Sequence, residues 1–125
     1  MKWTFENTGD TFSLNIGPFI DSREILLDDI TEAVYMVKVL QTDEDVDAKA
    51  TLTLGAGLTK VAGATEFDAK ITCQFSITDF EEGKLDASKR FYYTGLGIKT
   101  SGMSKFLEIQ LRDDRLLVIP DFIHD

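Results

Sequence analysis

A chain of 125 residues predicts one domain, long enough to bury about two thirds of the surface its unfolded form exposes. Hydrophobic residues at 43%, charged residues at 28%, two prolines and no apolar run near the roughly 18 residues of a membrane span exclude a disordered, collagen-like or helix-spanning chain. The net charge of −9 argues against direct binding to DNA, RNA or anionic membranes, which carry the same sign and are repelled.

In chain order, "WTFEN" and "TFSLNIG" read as two short strands. Thr8, Gly9 and Asp10 between them read as the turn of a hairpin. The segment "SREILLDDITEA" (22–33) suits a short helix or a tight connection. A strand follows in "AVYMVKVL" (33–40), with Tyr35, Val37 and Val39 on one face. "KATLTL" (49–54) alternates cleanly, and "KITCQFSI" (70–77) sets Ile71, Cys73, Phe75 and Ile77 against polar residues. Thr78 and Glu81 have the spacing of a capping box, so 78–89 predicts one helical turn.

"RFYYTGLGIK" (90–99) places Tyr92, Leu96 and Ile98 on one face and Phe91 and Tyr93 on the other. "KFLEIQL" (105–111) and "RLLVIPDFI" (115–123) complete the pattern, with "RDDR" (112–115) read as closing a hairpin between them. Pro120 suits a strand end at a sheet edge. Short strands at this spacing predict an all-β domain: a single antiparallel β-sandwich of seven to eight strands with one or two short helical turns. It occupies residues 1–125, with 1–27 as an N-terminal hairpin or arm and 28–122 as the core.

The motifs argue against an enzyme. "GLGIKTSG" (95–102) resembles a phosphate-binding P-loop only in Lys99 and Thr100. Ile98 stands where glycine is required, and the alternation that follows is not a helix, so no N-terminal dipole faces a phosphate. Asp43, Asp45 and Asp47 have calcium-loop spacing, but Ala48 and Leu54 hold the positions that need glycine and glutamate. His124, the only histidine, is the penultimate residue and lacks the flanking support that a catalytic base needs. Cys73, the only cysteine, excludes an internal disulfide and reads as a buried hydrophobe. No cofactor or metal is expected.

Charge and aromatics point instead to contacts with other proteins. Residues 21–47 hold nine acids against Arg23 and Lys38. Asp28, Asp29, Asp43, Asp45 and Asp47 are therefore candidate rim residues of an interface. Trp3, Phe5 and Phe12 are candidate anchors in an aromatic-rich start that also includes Phe19. Gly95 and Gly97 lie on one side of their strand and leave that face bare for a neighbouring chain.

The stretches "DITEAVYMVK" (29–38), "ATLTLGAGLTKVAG" (50–63), "AKITCQFSITDFEEGKLDASKRFYYTGLGIK" (69–99) and "KFLEIQLRDDRLLVIPDF" (105–122) resemble the N-terminal domains of phage baseplate upper proteins. The resemblance covers roughly residues 28–122 and consists of strand and turn patterns. It implies an immunoglobulin-like sandwich and a non-enzymatic structural or connector role in a phage or prophage tail, with no catalytic residue to carry over. Implied partners are other tail or baseplate proteins, with a homo-oligomer as a further mode. The implied location is the virion tail after synthesis in the bacterial cytoplasm, consistent with a start that lacks a signal-like apolar stretch. Asp113-Asp114 replaces the family's usual turn, residues 1–27 have no counterpart, and the end at Asp125 favours a stand-alone accessory protein. The alternative from another class is an acidic mimic of DNA that inhibits a host nucleic-acid-binding protein.

Overall fold

The computed structural model describes residues 4–7, 13–15, 25–64, 69–76, 79, 84–85, 91–111 and 115–119. Nine strands lie among them: β1 (Thr4–Asn7), β2 (Ser13–Asn15), β3 (Ile30–Lys38), β4 (Ala50–Leu54), β5 (Gly57–Val61), β6 (Lys70–Cys73), β7 (Phe91–Thr100), β8 (Leu107–Ile109) and β9 (Arg115–Ile119). Two 3-10 turns, Leu27–Asp29 and Asp45–Asp47, precede β3 and β4. The described residues contain no α-helix, so the chain is all-β as its period-two pattern predicts. The helical turn expected at 78–89 and the "RDDR" turn lie largely outside the described residues.

The strands form one mixed sheet in the order β1-β6-β5-β4-β3-β7-β9-β2, with β8 also paired to β7. The sheet is curled into a half-barrel, and the connectivity requires that curl. Asn7 and Ser13 are six peptide units apart and can be separated by at most about 20 Å. A flat sheet would set β1 and β2 about 34 Å apart at ~4.8 Å per strand. The curl also brings the Phe5 ring of edge strand β1 to 5.1 Å from the ring of Tyr35 on β3.

Three expectations are corrected. The sheet is not purely antiparallel, because β1 pairs parallel with β6 and β4 parallel with β5. No local turn joins β1 to β6, so burial of Phe5 rather than a connection chooses its direction. At the second site Gly55 and Gly57 take positive φ of 86° and 104°. Thr53 and Ala56 exchange two backbone hydrogen bonds there, and the Gly55 N–H donates to the Leu58 carbonyl. The chain thereby steps sideways and continues in the same direction. This makes β5, which the glycines disguised as a connection, the ninth strand.

The N-terminal hairpin is replaced by two separate pairings, β1 with β6 and β2 with β9. Strands of four and three residues gain little as an isolated hairpin and more on the edges of a larger sheet. The closing hairpin is likewise replaced. Between Leu96↔Ile109 and Tyr93↔Arg115, β7 retreats three residues while the partner advances six. β8 and β9 therefore run the same way along one edge of β7, with three surplus residues between them.

A bulge between Ile30 and Glu32 adds one residue to β3. It explains why Ile30 is buried on the same side as Ala33, Tyr35 and Val37 despite the change of parity. Together with Leu52, Leu58, Ile71, Cys73, Leu96, Ile98 and Ile109 these residues form a single core on the concave face. Each such aliphatic or aromatic side chain contributes about 1.5–3 kcal/mol through burial.

Candidate functional site

The outward face of β7 carries the candidate site. Its inward residues Tyr92, Leu96 and Ile98 are buried, so alternation turns Phe91, Tyr93, Gly95, Gly97 and Lys99 outward. Antiparallel register sets Lys38 beside Tyr93, Met36 beside Gly95, Val34 beside Gly97 and Glu32 beside Lys99. On the opposite edge Glu108 of β8 stands beside Gly97. Side chains of β3 and β8 thus rise on both sides of a floor that has none. The result is a groove of about 610 Å³ along β7.

The two glycines differ in their surroundings. A Cβ on Gly97 would lie 3.1 Å from the Phe106 Cβ, so the Phe106 side chain already covers that position. A Cβ on Gly95 would meet nothing within 4 Å among the described residues. Phe106 is 46% exposed, and Lys99 Nζ lies 4.5 Å from its ring centroid. That contact is a cation–π interaction at the groove's margin.

An ion pair lies toward each end of the β3–β7 pairing. Lys99 Nζ lies 3.5 Å from Glu32 Oε2. Lys38 Nζ donates to Asp45 Oδ1 at 2.7 Å and to the Asp43 carbonyl at 3.0 Å. Asp43 Oδ2 in turn accepts from the Leu40 N–H at 3.0 Å. Asp43 and Asp45 therefore hold the loop 39–47 in place. The spacing that suggested a calcium loop has a different use here, and among the described residues no three His, Cys, Asp or Glu side chains are grouped to hold a metal. Lys99 and Thr100 end a strand and enter a turn at Gly102, where φ is 89°.

The structure separates several residues that the sequence placed together. Asp28 and Asp29 are exposed in the turn before β3, whereas Asp43, Asp45 and Asp47 follow its other end. A nine-residue strand keeps the two groups about 30 Å apart. The acidic segment therefore supplies two patches, and only Asp45 lines the groove. Phe5, expected as an interface anchor, is taken up by the core against Tyr35. Trp3 and Phe12 lie outside the described residues. Phe106, which sequence reading did not single out, is the main aromatic of the groove. Its position one residue before a short alternating strand was the available signal.

A second cavity of about 550 Å³ lies over β4, β5 and β6, with Thr51, Thr59, Thr72 and Gln74 in its wall. Its one described carboxylate, Asp79, accepts from the Ser76 N–H at 2.7 Å and lies 3.3 Å from the Ser76 hydroxyl. Asp79 thus fastens a turn. The Cys73 thiol is fully buried, and desolvation pushes its pKa up to about 12. A nucleophilic thiol needs the opposite, an exposed site that favours thiolate.

Comparison with protein-family models, with curated proteins and with solved structures finds no match.

Proposed function

We propose that this chain is a non-enzymatic assembly protein that joins other proteins, acting as a structural or connector component of a phage or prophage tail or baseplate. The observation that supports it is the outward groove of β7. It has a side-chain-free floor at Gly95, half-buried Val34 and Met36 on one wall, and exposed Phe91 and Phe106 beside it. A partly apolar surface ringed by charge has the composition of a protein–protein interface. The tail assignment rests on the likeness of residues 28–122 to baseplate domains. That likeness also supplies the finer fold reading, an immunoglobulin-like sandwich in which the β4–β5 step would carry the chain from one layer to the other. The implied location is the virion, with tail proteins as partners and a homo-oligomer as a further mode.

The test is mass spectrometry on density-purified particles from a host that expresses the chain. The chain is expected in tail fractions and should stay there at about 1 M salt, where exposed charge pairs are screened. Its absence from particles would overturn the proposal.

A second reading, inhibition of a host nucleic-acid-binding protein by DNA mimicry, is favoured by the exposure of Asp28, Asp29, Glu44 and Asp47. It requires capture of a DNA-binding protein that is released by salt and by competing DNA.

A further inference from the structure

Gly95 is a glycine that the fold does not need. Gly55, Gly57 and Gly102 have φ of +86°, +104° and +89°, which favour glycine, and Gly97 is crowded by Phe106. Gly95 has no positive φ and, among the described residues, no neighbour within 4 Å of where a Cβ would stand. Mid-strand glycine is less stable than alanine by about 0.5–1 kcal/mol. For the isolated chain a side chain at this position would be an improvement. Glycine in a strand suits a close approach from outside.

We infer that the slot over Gly95 receives an arginine side chain from an extended segment of a partner protein. This deepens the assembly reading above and rests on it. Tyr93 stands two residues before the open floor, and Phe106 covers the residue two after it. Aromatic groups therefore bracket the slot, and a planar guanidinium stacks on such faces. The rim supplies the complementary charge. The charged residues that line the groove are Lys38, Asp45 and Glu108, a net of −1 even with Asp45 paired to Lys38, while Lys99 outside the lining is balanced by Glu32. Asp43, Glu44 and Asp47 add further negative charge at the Lys38 end. A second copy is disfavoured, because two chains of −9 would bring like-charged rims together. The groove follows β7 from Tyr93 to Gly97, about 14 Å, which is the length of an extended segment of about four residues.

The test uses the full ¹⁵N-labelled chain. The probe is a synthetic nonapeptide of serine and threonine with arginine at its centre and at the two alternate positions beside it. Control peptides carry lysine, phenylalanine or glutamate at those positions. The arginine peptide is expected to shift the Gly95, Gly97 and Met36 amides and to bind several-fold tighter than the lysine peptide. Its affinity should fall as NaCl rises from about 0.05 to about 0.3 M. The Gly95→Val variant is expected to melt no lower than the parent chain and to bind the arginine peptide about tenfold more weakly. Equal binding by Gly95→Val, tighter binding of the phenylalanine peptide, or a homodimer that Gly95→Val abolishes would each overturn the inference. Titration does not depend on particle association. A chain that binds the arginine peptide but is absent from particles refutes the assembly reading alone. A chain found in particles whose Gly95 face ignores the peptide refutes the slot alone.

Discussion

The Phe5 ring on edge strand β1 lies 5.1 Å from the Tyr35 ring on β3, although β6, β5 and β4 separate the two strands in the sheet. The contact spans the concave side and couples the N-terminal edge to the centre of the core, where Tyr35 also meets Phe75 at 6.2 Å. Truncation by Phe5→Ala should cost about 3 kcal/mol through lost burial and the cavity left behind. Equilibrium urea unfolding checks this, and a change below 1 kcal/mol would mean that β1 contributes little to the fold.

The two groove glycines should respond in opposite directions. Gly95→Ala meets no described residue within 4 Å and should stabilise by about 0.5–1 kcal/mol. Gly97→Ala would press against the Phe106 Cβ at 3.1 Å and should be neutral or destabilising. Thermal melts of the two variants in one buffer make the comparison, and a larger gain at Gly97 would contradict the packing described.

Gly57 combines strain with a clash. Its φ is +104°, and a Cβ there would lie 2.7 Å from Leu52 Cδ2. Gly57→Ala should destabilise by about 2 kcal/mol or more, because backbone strain and core overpacking act together. Gly55→Ala, with φ of +86° but no neighbour within 4 Å among the described residues, isolates the backbone component and should be milder. Denaturant midpoints of the pair separate the two contributions.

Thr94 faces the core side of β7, and its hydroxyl is buried with no hydrogen-bond partner among the described residues. Replacement by an isosteric methyl removes a desolvated polar atom without leaving a hole. Thr94→Val should therefore stabilise by about 1 kcal/mol. A loss of stability on calorimetry would show that the hydroxyl has a partner.

Burial raises the Cys73 pKa from 9.0 to about 12. The folded state keeps a proton that the unfolded chain releases above pH 9. The resulting stability is fully present below pH 9 and is lost as pH rises through 12. Between those values the parent chain should lose stability relative to Cys73→Ala, as read from urea midpoints at several pH values. Native Cys73 should also resist alkylation until the chain unfolds.

The β class and most of the core follow directly from the alternation of residue types along the chain. A period of two names the buried face of a strand wherever one side packs and the other meets solvent. Tyr35, Val37, Ile71, Cys73, Leu96, Ile98 and Ile109 were all legible in this way. The bare side of Gly95 and Gly97 was legible for the same reason, since alternation alone puts both on one face. Strand partners were not legible. The Thr8-Gly9-Asp10 and "RDDR" stretches have the chemistry of turns, yet β1 pairs with β6 and β2 with β9, while β8 and β9 share one edge of β7. Turn propensity is a local energy of a few tenths of a kcal/mol to about 1 kcal/mol, whereas docking a strand on a large curled sheet buries whole side chains at about 1.5–3 kcal/mol each. The same non-local geometry placed Phe106 over Gly97 and left Gly95 open. The groove therefore belongs to three strands at once, and only tertiary structure could assemble it.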